Sequence, residues 1–124
     1  KVGTAFATLV PQVDADGNET AGIRMPSVQA PLGAYTGWNL RTRDIGAPDE
    51  LFSMVGSYLP FARTKADRMK HHDSRPSIEE RYANREEYLR KVQAAAHSLV
   101  ASGYLLEQDV PALVDRAKAE WDRI

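Results

Sequence analysis

The chain has 124 residues, a formal charge of −1 and 43% hydrophobic residues, which suits one domain with a thin core because 17 residues are alanine. The near-neutral charge argues against a general nucleic-acid binder, and no apolar run approaches the roughly 18 residues that cross a bilayer. The absence of cysteine excludes disulfide scaffolds, thiolate zinc sites and a cysteine nucleophile.

Glycine and proline are concentrated in the first half of the chain and charged residues in the second. Twelve of the 15 glycines and prolines lie within residues 1–60, whereas 28 of the 33 charged side chains lie within residues 41–124. Because glycine and proline disfavour helix interiors, we expect strands and loops over residues 1–47 and helices over residues 48–124. The predicted class is α+β: a short N-terminal β-hairpin and loops, then a mainly α part that ends in an antiparallel helical hairpin.

A β-hairpin is predicted over residues 4–25, near the start of the chain. Two segments, residues 4–10 and 20–25, have the composition of strands, and residues 14–18 between them combine Asp, Asn and Gly as turns do. The alternating side-chain oxygens of this turn also resemble the opening of a calcium loop. Met25 occupies the position of the bidentate glutamate that such a loop needs, so the turn is the favoured interpretation.

The middle of the chain is predicted to hold two short helices and a loop. A proline followed by acidic residues favours a helix start within residues 48–62, which Gly56 and Pro60 cut short. A spacing like that of a capping box favours a second short helix over residues 64–69. The polar residues 70–75 are then predicted to form a loop.

Three helices are predicted in the last 48 residues, each from a capping signal. Ser77 begins a short helix, and Asn84 begins a longer one that ends near Gly103. Asp109 begins the last helix. The two longer helices carry apolar residues at spacings of three and four, and because their link is short we expect them to pack antiparallel. The apolar positions are Tyr88, Leu89, Val92, Ala95, Ala96, Leu99 and Val100, then Val110, Leu113, Val114, Ala117 and Trp121.

A glycine-containing aromatic segment over residues 35–41 is the best candidate for a ligand site. Its two aromatic rings, amide and guanidinium can line a pocket with apolar walls and fixed donors, and two later aromatics extend the wall. The alternative, favoured by the thin core, is that these aromatics fill the interface between hairpin and helices. The predicted substrate-binding residues are Tyr35, Trp38, Asn39, Arg41, Tyr58 and Phe61.

No catalytic residue, metal site or cofactor is assigned to this chain. His71, His72 and Asp73 carry ligand atoms, but adjacent loop residues seldom converge on one ion, so a solvated loop is favoured. Residues 55–59 lack the two flanking glycines of a nucleophile elbow, and nothing in the sequence completes a Ser-His-Asp triad.

A set of short motifs runs in a fixed order through nearly the whole chain. The motifs are LVPQVDADGNE (9–19), AGIR (21–24), PL (31–32), YTGWNLR (35–41), GSY (56–58), PFA (60–62), RPSIEERY (75–82), LL (105–106) and DV (109–110). As an ordered set they resemble the C-terminal region of bacterial proteins called alpha/beta hydrolase domain-containing proteins.

This resemblance implies that the chain is a C-terminal module of a larger, exported protein. Lys1 is not an initiator methionine and no targeting signal follows it, which fits a piece of a longer polypeptide. The implied partners are the upstream hydrolase domain, which carries the nucleophile, and a small-molecule ester. The implied location is extracytoplasmic. Under this hypothesis the chain completes the fold of the larger protein and borders its substrate pocket.

Two other functions are compatible with the residues alone. The chain is a non-catalytic interaction module if the helical hairpin presents its apolar face to a partner. A third, weaker hypothesis is a small metal-dependent enzyme centred on His71, His72 and Asp73.

Overall fold

The computed structural model describes residue 3 and residues 9–52 and 54–124. The predicted α+β class is confirmed, since a two-stranded β-ribbon precedes a mainly helical part that ends in packed helices. No helix in these ranges is both long and apolar enough to cross a membrane. The elements are α1 (Pro26–Gln29), β1 (Gly33–Thr36), β2 (Ser57–Pro60), α2 (Lys65–Lys70), α3 (Ile78–Arg81), α4 (Arg85–Ala101) and α5 (Val110–Trp121), with 3₁₀ turns at Arg43–Ile45 and Glu107–Asp109.

The predicted N-terminal turn is confirmed, and the Asp14 carboxylate organises it. Its Oδ1 atom accepts hydrogen bonds from the backbone N–H groups of Asp16 and Asn18, both at 3.0 Å. Gly17 has a φ of 87°, a left-handed conformation that other residues rarely adopt. The second carboxylate oxygen of Asp14 binds Arg24 at 2.6 Å. Both oxygens are therefore used to shape the turn.

The strand predicted over residues 20–25 is wrong. Gly22 has a φ of 78°, which breaks an extended chain, and α1 begins directly after this segment. An isolated bridge between Val13 and Glu19 joins the two sides of the turn. The other predicted strand, residues 4–10, lies outside the described residues except for its last two positions.

The β-hairpin of this molecule forms later in the chain, between β1 and β2. The strands are antiparallel, with Gly33 opposite Pro60. A Cβ atom at Gly33 would lie 2.6 Å from the Tyr58 ring, so glycine allows the two strands to meet. The helix predicted within residues 48–62 is therefore wrong. Pro60 has no N–H group for a helix interior, whereas the end of a two-stranded ribbon tolerates it.

Side chains from distant parts of the chain bind the backbone of this ribbon. The fully buried Asn18 amide donates through Nδ2 to the Gly33 carbonyl at 3.2 Å and accepts at Oδ1 from the Tyr35 N–H at 2.7 Å. The Arg75 guanidinium donates to the Leu59 carbonyl at 3.2 Å. Because an isolated two-stranded hairpin is marginally stable in water, these contacts hold the ribbon on the rest of the molecule.

Most of the predicted helix caps are confirmed. Thr64 and Asn84 each accept a hydrogen bond from the backbone N–H three residues later, at 3.1 and 2.9 Å. Ser77 and Glu80 complete a capping box at the start of α3. Asp109 lies at the N-cap of α5, but its side chain makes no capping bond to the described first turn. A 3₁₀ turn leads directly into α5 and leaves Asp109 with helical backbone angles, which explains the difference.

The helices α4 and α5 pack as the predicted antiparallel hairpin. Arg85 at the start of α4 binds Asp122, just after α5, through two hydrogen bonds of 2.9 Å. On the inner face, the buried Tyr88 ring stacks on Trp121 with centroids 5.1 Å apart. The core forms where this hairpin meets α1 and the chain around the ribbon. Its buried members are Ala30, Leu32, Phe61, Ile78, Tyr82, Tyr88, Val92 and Ala117.

Candidate functional site

The Tyr35 and Tyr58 rings lie side by side on the β-ribbon. They are opposite each other in the register of β1 and β2, with ring centroids 4.8 Å apart and planes tilted by 34°. Tyr35 is half-buried, whereas Tyr58 is 49% exposed. The structure therefore brings together two of the six predicted site residues and leaves one of the rings open to solvent.

An open cavity of about 450 Å³ lies against this tyrosine pair. Its other wall comes from the end of α5 and the residues that follow, which place Arg116, Glu120 and Arg123 at the rim. Residues four apart on a helix share a face, and Arg116 Nε donates to Glu120 Oε1 at 3.1 Å. Pro60 and Ile124 complete the lining.

The tyrosine hydroxyls at this cavity stay protonated at neutral pH. Burial raises the pKa of Tyr35, and the Glu120 carboxylate adds to the shift. The same two causes, in the same order, raise the pKa of Tyr58 and of Tyr88 on α4. A neutral phenol exchanges hydrogen bonds but does not act as a general base at this pH, so the hydroxyls are suited to binding polar groups.

A narrower cavity of about 160 Å³ adjoins the first one. Arg116 and Glu120 line both cavities and form the boundary between them. The remaining walls of the narrow cavity are mostly apolar and come from the start of α1 and the facing sides of α4 and α5. They consist of Met25, Pro26, Ser27, Tyr88, Val92, Leu113 and Ala117.

Three of the other predicted site residues lie in the loop after β1. Trp38 is half-buried, and its indole Nε1 is buried without a hydrogen-bond partner in the described part of the chain. Asn39 is exposed, and Arg41 donates to the Ile45 carbonyl at 3.3 Å. These residues line neither of the two cavities, so their role in substrate binding stays a prediction.

Phe61, the last predicted site residue, lies in the core and is 3% exposed. The guanidinium carbons of Arg75 and Arg81 lie over its ring, 5.1 and 4.0 Å from the centroid. Arg81 also binds Asp16 in the N-terminal turn, and Arg75 binds Asp73 at 2.7 Å. This group of contacts joins the turn, the ribbon and the helical part around one aromatic ring.

The His71–Asp73 segment is engaged in local structure after α2. His71 Nδ1 lies 2.9 Å from the Asp67 carbonyl oxygen. A hydrogen bond from Arg75 holds the pKa of the Asp73 carboxyl at about 2, well below its usual value. In the described ranges, no group of three or more His, Asp or Glu side chains is placed to hold a metal ion.

The sequence does not indicate the charged wall of the open cavity of about 450 Å³. The spacing of Arg116 and Glu120 indicates an i,i+4 pair on α5, which is most simply a solvated surface pair. Nothing in the local sequence shows that this end of α5 lies beside the ribbon. That proximity depends on how the helical hairpin packs, and only the tertiary structure reveals it.

Comparison with models of protein families matches most of the chain. The matching model is described as an alpha/beta hydrolase domain and covers residues 3–115. This range contains the ribbon, both site tyrosines and all of α4. No curated protein matches the chain, and no solved structure matches it either.

Proposed function

Because the chain belongs to the alpha/beta hydrolase domain family, we propose that it is the C-terminal module of an esterase-type hydrolase. In this proposal it completes the fold of a longer polypeptide and borders the substrate pocket. The upstream hydrolase domain supplies the nucleophile, the substrate is a small-molecule ester, and the location is extracytoplasmic. The observation that carries the proposal is the open cavity of about 450 Å³ beside Tyr35 and Tyr58.

The cavity combines the two properties that the border of an ester site needs. Its tyrosine rings offer apolar surface to the hydrocarbon parts of a ligand, and their protonated hydroxyls can donate to an ester oxygen. Hydrolysis of an ester by water yields an alcohol and a carboxylic acid, which ionises. The guanidinium groups of Arg116 and Arg123 at the rim favour such a carboxylate.

The residue types at the cavity suit ligand binding rather than nucleophilic attack. Within the described ranges, its lining consists of tyrosines, charged groups, proline and isoleucine. These side chains bind and orient a ligand, and they leave the attack on the ester carbonyl to groups from the upstream domain. The chain then acts as a wall of the pocket.

The test compares this chain with the longer polypeptide encoded by its gene, using p-nitrophenyl acetate as substrate. We expect the longer polypeptide to hydrolyse the ester and the 124-residue chain to be inert. In the longer polypeptide, Tyr58→Leu removes the exposed ring and its hydroxyl, so KM should rise about fivefold with a smaller change in kcat. Fractionation of the native cells should place the protein outside the cytoplasm.

Tyr104→Leu is the matched control, because Tyr104 is 62% exposed and lines neither cavity. An inert longer polypeptide would overturn the proposed hydrolase function. Equal KM values for the Tyr58 and Tyr104 variants would contradict the proposal that this chain borders the substrate pocket. Recovery of the protein in the cytoplasmic fraction would contradict the proposed location.

The helical hairpin offers less support for an interaction module. The helices α4 and α5 pack against each other, and α4 also packs against α1. Tyr88 and Val92, which would form the centre of an interaction face, are 1% and 2% exposed. The centre of the stripe that such a module would present is therefore covered within the chain itself.

A further inference from the structure

We infer that the two cavities beside α5 are compartments of one elongated ligand site, a wide one of about 450 Å³ and a narrow one of about 160 Å³. The ligand is an ester whose polar body lies on Tyr58 in the wide compartment. Its apolar arm, no larger than a phenyl ring, enters the narrow compartment. This inference rests on the proposed function and adds a substrate class to it.

The two compartments meet at a single boundary. Arg116 and Glu120, one helical turn apart on α5, line both of them. The Glu120 carboxylate acts on phenol groups of both compartments, because it contributes to the raised pKa of Tyr35 and Tyr58 in the wide one and of Tyr88 in the narrow one. A ligand that crosses this boundary therefore meets polar groups at its middle and apolar walls beyond.

The narrow compartment has the size and chemistry of an aromatic-ring site. Leu113, Ala117, Val92 and the Tyr88 ring supply apolar walls from the helical hairpin, and Met25 closes the opposite side. Apolar cavities of about 150 Å³ in proteins accept benzene. A compartment of about 160 Å³ thus matches the size of one six-membered ring.

The boundary consists of side chains at the surface of α5, outside the core. The Arg116 side chain is 78% exposed, and its partner Glu120 is 25% exposed. Exposed ion pairs of this kind hold their side chains weakly. A ligand that displaces the exposed Arg116 side chain can therefore span both compartments without moving the buried residues beneath.

Binding of unreactive amides to the 124-residue chain tests the inference without requiring hydrolysis. Acetamide, benzamide and 2-naphthamide share one polar group and differ in the size of the arm. We expect benzamide to bind about tenfold more tightly than the other two, because only its ring fills the narrow compartment. Its ring protons should give NMR contacts to the methyl groups of Leu113, which is half-buried and lines the narrow compartment, a readout that needs no variant.

A variant that fills the narrow compartment provides the second arm of the test. Leu113→Trp should lower the affinity for benzamide about tenfold, to the level of acetamide, by occupying the space of the ring. Leu106→Trp is the matched control, because Leu106 is 62% exposed and lines neither compartment. Circular dichroism of both variants confirms that they are folded.

The outcomes separate this inference from the proposed function. Equal affinities for the three amides, or benzamide contacts that avoid Leu113, overturn the inference even if the longer polypeptide hydrolyses esters. Benzamide binding at Leu113 in a protein whose longer form is inert toward esters supports the ligand site and overturns the hydrolase proposal. Benzamide binding together with hydrolysis supports both.

Discussion

The ribbon part of the chain, residues 12–62, and the helical part, residues 78–124, are held by different kinds of contact. In the helical part, capping groups bind three residues away and apolar side chains recur every three or four residues. In the ribbon part, the decisive bonds come from Asn18 and Arg75, which lie 15 to 17 positions from the backbone groups they bind. The individual helices are thus specified locally, whereas the two strands of the ribbon are held by distant side chains.

Buried and partly buried side-chain contacts help to tie the ribbon part to the helical part. The Tyr82 hydroxyl donates to the Pro31 carbonyl at 3.0 Å, and Arg81 binds Asp16. Since the ribbon depends on the helices for these contacts, damage to the helical core should unfold both parts. A substitution within the ribbon part should increase local opening of the ribbon more than opening of the helices.

The largest expected effect comes from Tyr88→Ala. Tyr88 is 1% exposed and packs against Tyr82 and Trp121 at centroid distances of 5.2 and 5.1 Å. Removing a buried aromatic ring should lower the free energy of unfolding by about 4 kcal/mol. Urea unfolding followed by circular dichroism measures this loss, and hydrogen exchange at the Tyr35 N–H should show that the ribbon opens with the helices.

Tyr104→Ala is the control for this substitution, because Tyr104 is 62% exposed and should change stability by less than about 0.5 kcal/mol. If the ribbon amides of Tyr88→Ala stay protected from hydrogen exchange, the ribbon does not depend on the helical part. That result would contradict the dependence inferred from the contacts between the two parts.

Asn18→Ala should have the next largest effect. It leaves the Gly33 carbonyl and the Tyr35 N–H without the buried amide that binds them, at a cost of about 2–3 kcal/mol. Hydrogen exchange at Tyr35 should accelerate more than exchange within α4. Gln12→Ala, on the exposed side of the same segment, should leave both rates unchanged. Equal acceleration in both parts would mean that they unfold as one unit.

Two substitutions at helix N-termini test whether local capping hydrogen bonds stabilise the helical part. Asn84→Ala removes a capping hydrogen bond of 2.9 Å and should destabilise the protein by about 1 kcal/mol. Asp109→Ala removes a side chain that makes no capping bond to the described first turn of α5, so it should cost less than about 0.5 kcal/mol. Thermal unfolding of both variants checks the difference, and equal losses would contradict the assigned caps.

The smallest expected effect is that of Asp73→Asn, and it depends on pH. The pKa of Asp73 is lowered from 3.8 to about 2 when the chain folds, so the ionised carboxylate stabilises the folded state. That contribution, about 0.5 kcal/mol for a partly exposed pair, is complete above pH 3.8 and is lost as the pH falls toward 2.

Thermal unfolding of the wild type and of Asp73→Asn between pH 7 and 2 measures this effect. The two melting temperatures should differ at pH 7 and converge near pH 2, where the wild-type carboxyl becomes protonated. Asp115→Asn, at a side chain that is 69% exposed, should give a smaller difference throughout. A constant difference for Asp73→Asn over the whole pH range would show that the carboxylate charge is not involved.

The sequence predictions were accurate where the structure depends on contacts between neighbouring residues. Caps at Thr64, Ser77 and Asn84 were predictable because each is an interaction within four residues. The strand predicted over residues 20–25 and the helix start predicted within residues 48–62 were wrong. In the first segment Gly22 adopts a left-handed conformation that interrupts the strand, and in the second the observed strand depends on pairing with β1, which a short stretch of sequence does not reveal.

Of the residues that line the candidate cavity, the sequence singled out only Tyr35 and Tyr58, and their role in ligand binding stays a prediction. The aromatic composition of residues 35–41 and the later Tyr58 indicated a ligand-binding surface, and the structure places Tyr35 and Tyr58 at a cavity. Phe61 lies instead in the core, beneath two guanidinium groups. Whether a hydrophobic ring lines a cavity or fills a core depends on its neighbours in space, which composition does not contain.

By itself, the sequence determined the α+β class, the N-terminal turn and the positions of the helices in the second half. These features arise from backbone preferences, capping bonds and apolar periodicity, all of which act over a few residues. Only the tertiary structure decided which strands pair, and that the end of α5 brings Arg116 and Glu120 to Tyr58. The reason is physical: strand pairing and cavity walls join segments far apart in the chain, so their energies depend on packing that no local pattern encodes.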